Sequence, residues 1–336
     1  MPETFFVVID TNVWISELGL NSALGSSTKF YISSTGATIA LPEVIRLEVE
    51  QNYEKRLLEF KQTAETNHRQ LLGAFGKLNE FTAPTDEEIH HLAKHFFDNF
   101  SLPIRPIAFS LVSAMQSLLK TINKEAPSDH DQQFKDGVIW ADCLGLLDEA
   151  DVHLVTTDKA FYAGRRYDGG LAKNLLRECA DKPNKLLIHS TLGSLIDGIK
   201  RPVDIDSQRF TEAYRGFYNS TVNYADDFPF GIGELINLST AAYITEQANL
   251  SIDFEAEFAA VPDNNSFSAG HYTVSGSCFY DPSGQAFSNF HRTREMITYT
   301  QEGDEGETRG RQYVYAGGFV NGGAREARHI VRTPLS

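Results

Sequence analysis

Two short apolar runs in this chain end on an aspartate. The first, FFVVIDTN over Phe5–Asn12, stops at Asp10; the second lies in VHLVTTDKAFY over Val152–Tyr162 and stops at Asp158. An uninterrupted run of aromatic and β-branched residues, too short for a helix to be preferred, predicts a strand buried on both faces of a parallel sheet. A carboxylate at the end of such a strand is too costly to bury unpaired, and that end is where open α/β sheets place their ligand crevices. Asp10 is therefore a catalytic candidate, and Asp158 repeats its arrangement. Helix capping is the plainer role for Asp10, because Thr11, Asn12 and Ser16 offer local hydrogen bonds.

Two more acids sit on predicted helices. PEVIRLEVEQNYEKRLLEF begins with Pro42 at a favourable first-turn position, and its apolar residues Val44, Ile45, Val49, Leu57 and Leu58 define a sheet-facing side. Glu48 lies one turn beyond Val44 and Ile45 and so projects near that side, whereas Glu43, Glu50 and Glu54 read as solvated. A one-turn error would choose Glu43 or Glu50 instead. In FKDGVIWADCLGLLDEA, Asp136 falls in the first helical turn, where the helix dipole stabilises a carboxylate with or without a function. Asp142, six residues on, is on a different face and reads as a supporting or surface residue.

The elements that must position these acids alternate between strand and helix. Thr38–Leu41 and Lys185–His189 read as strands, Val13–Leu20, Leu171–Cys179 and Thr191–Ile199 as helices, and Gly25–Thr28 as a loop. Alternation of this kind predicts a doubly wound α/β domain with a parallel sheet. Asp10 and Asp158 would then emerge at one sheet edge, with Glu48 and Asp136 supplied by helices that start beyond it. Residues 62–124 read as an almost wholly helical insertion, broken near Ala83 and Pro84 and at Pro103 and Pro106. The histidines His90, His91 and His95 in it read as a solvated face, since H-x-x-x-H here lacks the Glu of H-E-x-x-H and a third ligand.

A convergent carboxylate group repels itself unless cations are present, and hard oxygen ligands suit Mg²⁺ or Mn²⁺. Metal-dependent phosphodiester hydrolysis is the most economical chemistry for it.

VIDTNVWI, PEVIRLE, FKDGVIW and LVTTDKAFY together resemble the PIN-domain nucleases, most closely the PIN-like branch with a long helical insertion. The resemblance covers about Phe5 to Ile199. It implies an acidic metal site of Asp10, Glu48, Asp136 and Asp158, supported through hydrogen bonds by Thr11 and Asn12, and an endoribonuclease acting on single-stranded RNA. DNA stays open as a substrate, because no residue is identified as contacting a 2′-hydroxyl. Lys159, Arg165 and Arg166, just beyond Asp158, are candidate phosphate contacts, and Phe161 and Tyr162 could stack on bases.

Bulk properties agree with a globular protein of about two domains. The chain has 336 residues, 41% hydrophobic and 22% charged, and no apolar run long enough to span a bilayer. The N-terminus fits neither a signal peptide nor an anchor, so the expectation is a soluble cytoplasmic protein without membrane contact. Cys143, Cys179 and Cys278 are too far apart for a zinc motif and read as reduced core residues. A net charge of -15 argues against a general nucleic-acid coating protein, but carboxylates that hold metal, with a local basic rim, can still bind phosphates.

Beyond Lys200 the chain contains no lysine and is rich in Gly, Ser, Asn, Tyr and Arg. Residues 1–200 therefore read as the PIN-like domain and 201–336 as a β-rich accessory domain. Gln208–Gln247 is expected to include helices, interrupted by a loop over Asp226–Gly233. SIDFEAEFA alternates cleanly, with Ile252, Phe254, Ala256 and Phe258 on its apolar face; HYTVSGSCFY, REMITYT and RQYVYAGGFV suggest further antiparallel strands, and DPSG a turn. Gly303–Gly310 reads as an acidic loop. Arg309, Arg311, Tyr313 and Tyr315 read first as ordinary strand exterior, with an RNA or protein partner surface as the alternative. Two rival functions fit parts of the pattern. A haloacid-dehalogenase-like phosphatase also begins with a strand ending in Asp, but wants a second acid where this chain has Asn12. A catalytically silent PIN-like scaffold, with function in the second domain, is the other.

Overall fold

A computed structural model describes residues 5–302 apart from 18, 80, 132, 223–229, 247–248 and 263–269, together with 308–316; at 221, 222, 230, 262, 299–302 and 308–316 only the backbone is described. The chain divides into two compact units, Met1–Ile15 with Thr28–Lys55 and Thr85–Gly198, and Ser16–Ser27 with Arg56–Pro84 and Ile199–Ser336.

In chain order the first elements are β1 (Phe6–Ile9), α1 (Thr11–Ser16), α2 (Ala23–Thr35), β2 (Thr38–Pro42), α3 (Glu43–Phe75), α4 (Asp86–Lys94), β3 (Ile104–Ile107), α5 (Leu111–Asn123), α6 (Phe134–Leu146), β4 (Val152–Val155), α7 (Lys173–Cys179), β5 (Leu186–His189) and α8 (Leu192–Leu195). Five strands form a parallel sheet in the order β3-β2-β1-β4-β5, with β1 at its centre. Every residue of β1 is buried, which is why its sequence is uniformly apolar. Phe6–Ile9 pair in register with Val152–Val155, so the residues that follow, Asp10 and Thr156, leave the sheet side by side. Trp14 of α1 is fully buried, with the rings of Phe97 and Phe100 edge-on at 5.2 and 5.3 Å, and so anchors the turn that follows Asp10.

Several local expectations are corrected. The Gly25–Thr28 stretch is helical, inside α2, despite a composition that favours loops. The 62–124 insertion is not wholly helical, because β3 pairs with β2 as the edge strand of the core sheet. Pro106 is tolerated there because an edge strand can leave one side of its ladder unpaired. Glu50 is not solvated; it is 3% exposed and bonded to Arg46 at 2.7 Å, with Lys94 at 3.8 Å. The break at Pro84 is followed, as expected, by a helix start, and Thr85 and Glu88 form a reciprocal capping box.

The second unit continues with β6 (Lys200–Arg201), α9 (Ser207–Val222), β7 (Phe230–Ile244), β8 (Leu250–Pro262), β9 (Gly270–Asp281), β10 (Ala286–Glu302) and β11 (Thr308–Ala316). These strands form one antiparallel sheet in the order β11-β10-β9-β8-β7-β6. The apolar face of β8, Ile252, Phe254, Ala256 and Phe258, is buried, and α9 lays Phe210 and Tyr214 on it at 5.1 and 5.5 Å from Phe254 and Phe258. The loop expected over Asp226–Gly233 is strand from Phe230 onward. Its earlier part, residues 303–307 of the acidic loop, and the side chains of Arg309, Arg311, Tyr313 and Tyr315 lie outside the described residues. Among the described residues no helix is long and apolar enough to cross a membrane.

Candidate active site

Asp10 follows β1 and is 6% exposed. Its Oδ1 accepts the backbone N–H of Thr11 at 2.7 Å, and its Oδ2 accepts the hydroxyl of Thr156 at 2.7 Å. Asp158 stands two residues beyond Thr156, whose Oγ1 in turn accepts the Asp158 N–H at 3.0 Å. Thr156 therefore ties the two strand-end carboxylates into one unit. Asp158 Oδ1 accepts from Ala160 N at 2.7 Å, and Oδ2 from Gln133 Nε2 at 3.2 Å. Both carboxylates are thus held in fixed orientations, and among the described residues neither has a cation as hydrogen-bond partner.

Asp136 projects from the first turn of α6, a helix whose N-cap residue, Gln133, makes no capping bond with its own side chain. Burial raises the Asp136 carboxyl to about 8, followed by the charges of Asp10 and Asp158 and a hydrogen bond shared with Asp158, while Lys135 opposes the rise. Burial likewise raises Asp10 to about 6 against the hydrogen bonds from Thr156 and Thr11, and the charges of Asp158 and Glu48 add to it. Acids from separate elements therefore converge: Asp158 and Glu48 act on Asp10, and Asp10 and Asp158 act on Asp136.

On α3 it is Glu48 that reaches this group. Its Oε2 accepts the Thr11 hydroxyl at 2.9 Å, and its Oε1 pairs with Lys135. Glu43 instead accepts the N–H of Phe109 at 2.8 Å, and Glu50 serves Arg46. Thr11 bonds both Asp10 and Glu48, whereas Asn12 is exposed and bonds neither. Asp142 lies away from the group and accepts from Ser113 at 2.7 Å. Arg165 faces Asp129 at 3.8 Å, Arg166 is closed in a fork on Asp168 at 2.7 and 3.1 Å, and Lys159 lies 5.4 Å from the centre of the Tyr167 ring. Phe161 and Tyr162 are both buried, and neither ring is open to stack on a base. His90 and His95 pair with Glu54 and Asp98 on an exposed face.

Residues 7–161 match the family model for the PIN domain. The N-terminal region is a PIN domain. PIN domains are nucleases in general and typically use divalent metals. No curated protein and no solved structure matches the chain.

The donor chemistry of this PIN domain fits such a metal. The acids present hard oxygens, and two of them, Asp10 and Asp136, are raised by burial and by the charges of neighbouring acids, the condition a divalent cation relieves. Gln133 Oε1, beside Asp158, is buried without a hydrogen-bond partner among the described residues. No three His, Cys, Asp or Glu among the described residues are already gathered as a metal cage. Thr156, Gln133 and Lys135 were missed in the sequence because threonine, glutamine and lysine are ordinary at those positions.

Proposed function

We propose that the PIN domain is a metal-dependent endoribonuclease that hydrolyses internal phosphodiester bonds of single-stranded RNA, with Asp10, Glu48, Asp136 and Asp158 holding Mg²⁺ or Mn²⁺. The observation that carries this is the mutual electrostatic effect of Asp10, Asp136 and Asp158, supplied by three separate elements at the carboxyl edge of a parallel sheet. Thr11 and Thr156 aim Asp10, while Ala160 and Gln133 aim Asp158, so both are preorganised before substrate arrives. When bound, a divalent ion lowers the pKa of a water nucleophile and stabilises charge on the phosphoryl oxygens. Water oxygen bonds to phosphorus, one P–O ester bond breaks, and the leaving oxygen takes a proton. Lys135, 58% exposed and paired with Glu48, presents a cation to a phosphate approaching the acids.

The test is cleavage of internally labelled single-stranded RNA and DNA with Mn²⁺ or Mg²⁺, by the parent chain, Asp10→Asn and Asp158→Asn. RNA cleavage that both substitutions and a chelator abolish is the expected result. Cleavage indifferent to the substitutions overturns the site, and no cleavage under any condition favours the silent scaffold.

A further inference from the structure

Beside the acid cluster lies a cavity of about 560 Å³ that none of the proposed metal ligands lines. Its volume is within the range of small-molecule sites, roughly 300–1,000 Å³. It and the cluster share the turn at Lys159–Phe161: Ala160 gives its N–H to Asp158 and also lines the cavity. Its lining includes the small buried residues Ala126, Ala160 and Ala172.

The walls carry the charge. Lys124, Arg165, Lys173 and Arg177 face Glu125 and Asp129, a local excess of positive charge in a chain of net charge -15. Lys124 and Lys173 have no ion-pair partner among the described residues. Arg177 uses its Nε on the Lys173 carbonyl at 3.3 Å, and Arg165 stands 3.8 Å from Asp129, beyond hydrogen-bond length. Elsewhere in the same unit the arginines are engaged: Arg105 is bidentate on Glu149 at 2.6 and 2.7 Å, and Arg166 is forked on Asp168. Lys124, Lys173 and Arg177, which make no ion pair among the described residues, suit a phosphate. An acidic chain repels a polyanion at long range, so a strand must be captured by such a local patch.

We propose that this pocket is a strand-binding subsite, holding the phosphate and sugar of a nucleotide that flanks the cleaved linkage, with Lys173 and Arg177 as principal phosphate contacts. The proposal rests on the nuclease reading for its substrate class. It concerns a different set of residues and is tested without catalysis.

The experiment measures binding of a fluorescently labelled single-stranded oligouridylate to the full chain by anisotropy in EDTA, across a salt series. The proteins are the parent, the double variant Lys173→Ala/Arg177→Ala, and Arg105→Ala as a control for loss of an engaged arginine. Lys173 and Arg177 are exposed, and thermal melts check that the double variant folds as the parent does. The double variant is expected to bind at least about tenfold more weakly at low salt. Its slope of log affinity on log salt should be shallower by about 1.4, about 0.7 for each phosphate no longer neutralised. Arg105→Ala should bind as the parent does. Parental affinity and slope in the double variant overturn the pocket, as does a parent that binds no RNA. A chain that loses binding with this double variant yet cleaves nothing keeps the subsite and loses the nuclease; one that cleaves while the double variant binds normally keeps the nuclease and loses the subsite.

Discussion

Each unit of this protein buries a group of ionisable side chains, and the two groups are built on opposite terms. In the antiparallel unit Arg292 and Glu295 are 3% and 6% exposed, and Arg292 Nη1 donates to both Glu295 oxygens at 3.0 and 3.1 Å. Tyr272 donates to the same carboxylate at 2.7 Å, its own hydroxyl lies 2.9 Å from that of Tyr214, and the Phe217 ring covers the guanidinium at 5.3 Å. The charges there are paired within the fold, with Arg292 Nε the buried atom of the group that has no hydrogen-bond partner among the described residues. In the parallel unit Asp10 and Asp136 are brought against Asp158 and one another, and burial raises both. Lys135 opposes the rise at Asp136, from the exposed side. A satisfied ion pair maintains a core, whereas a repelling set of oriented carboxylates is tolerated where something positive is to be bound.

The contrast breaks most visibly if Asp10→Asn is innocuous. We expect cleavage to fall at least about 100-fold, since even outer partners of metal sites cost 10- to 100-fold, while thermal stability at pH 8 stays level or rises because a buried charge is removed. Steady-state cleavage and a thermal melt on one preparation check both halves. Arg292→Met should do the reverse. It strands Glu295 and should cost about 3–5 kcal/mol of stability in the antiparallel unit, read by urea unfolding.

Glu17 sharpens the comparison, because it is an acid in the antiparallel unit without a cationic partner among the groups that shift it. Burial raises its carboxyl from the ordinary 4.5 to about 7, against a hydrogen bond from Ser22, and the charge of Asp253 adds to the rise. A raised acid contributes its full stability below 4.5 and loses it as pH climbs to about 7. At about 1.4 kcal/mol per pH decade, the loss is roughly 3–4 kcal/mol. The difference in unfolding free energy between Glu17→Gln and the parent should therefore grow in favour of the variant from pH 4.5 to 7 and then level. A difference that does not change with pH contradicts this assignment.

The smallest effect concerns position rather than charge. A Cβ at Gly137, next to Asp136, would lie 2.3 Å from Ser117 Oγ and 3.0 Å from Ser117 Cα, so Gly137→Ala must push α6 from α5. The cost is about 1–3 kcal/mol of overpacking, together with reduced cleavage as Asp136 shifts. Adding Ser117→Gly should recover much of both, although Ser117 also bonds the Phe134 carbonyl at 2.6 Å.

The acids were legible in sequence because a carboxylate that ends a buried strand violates the run before it, as Asp10 and Asp158 do. Helical phase sufficed to place Glu48 near the sheet-facing side. Strict alternation made β8 readable for the same reason. β3 was not legible: Pro103 and Pro106 look like helix breaks, and only pairing with β2 makes Ile104–Ile107 a strand. The start of α2 was hidden because Gly25–Thr28 has loop composition, yet Gly25 faces the Leu20 backbone, where a Cβ would lie 2.5 Å away. Of the cationic pocket only Arg165 was legible, as a candidate phosphate contact. Its walls come from residues 124–130, 160–165 and 172–177, and no local pattern records that they meet.

The central claim is that the parallel unit's acids are a metal site, and titration of Mn²⁺ into the full chain by calorimetry tests it most directly, with Asp10→Asn and Asp158→Asn beside the parent. Saturable binding to the parent, lost or greatly weakened in both variants while their melts remain cooperative, is the predicted result. Equal binding in all three proteins, or none in the parent, would contradict it.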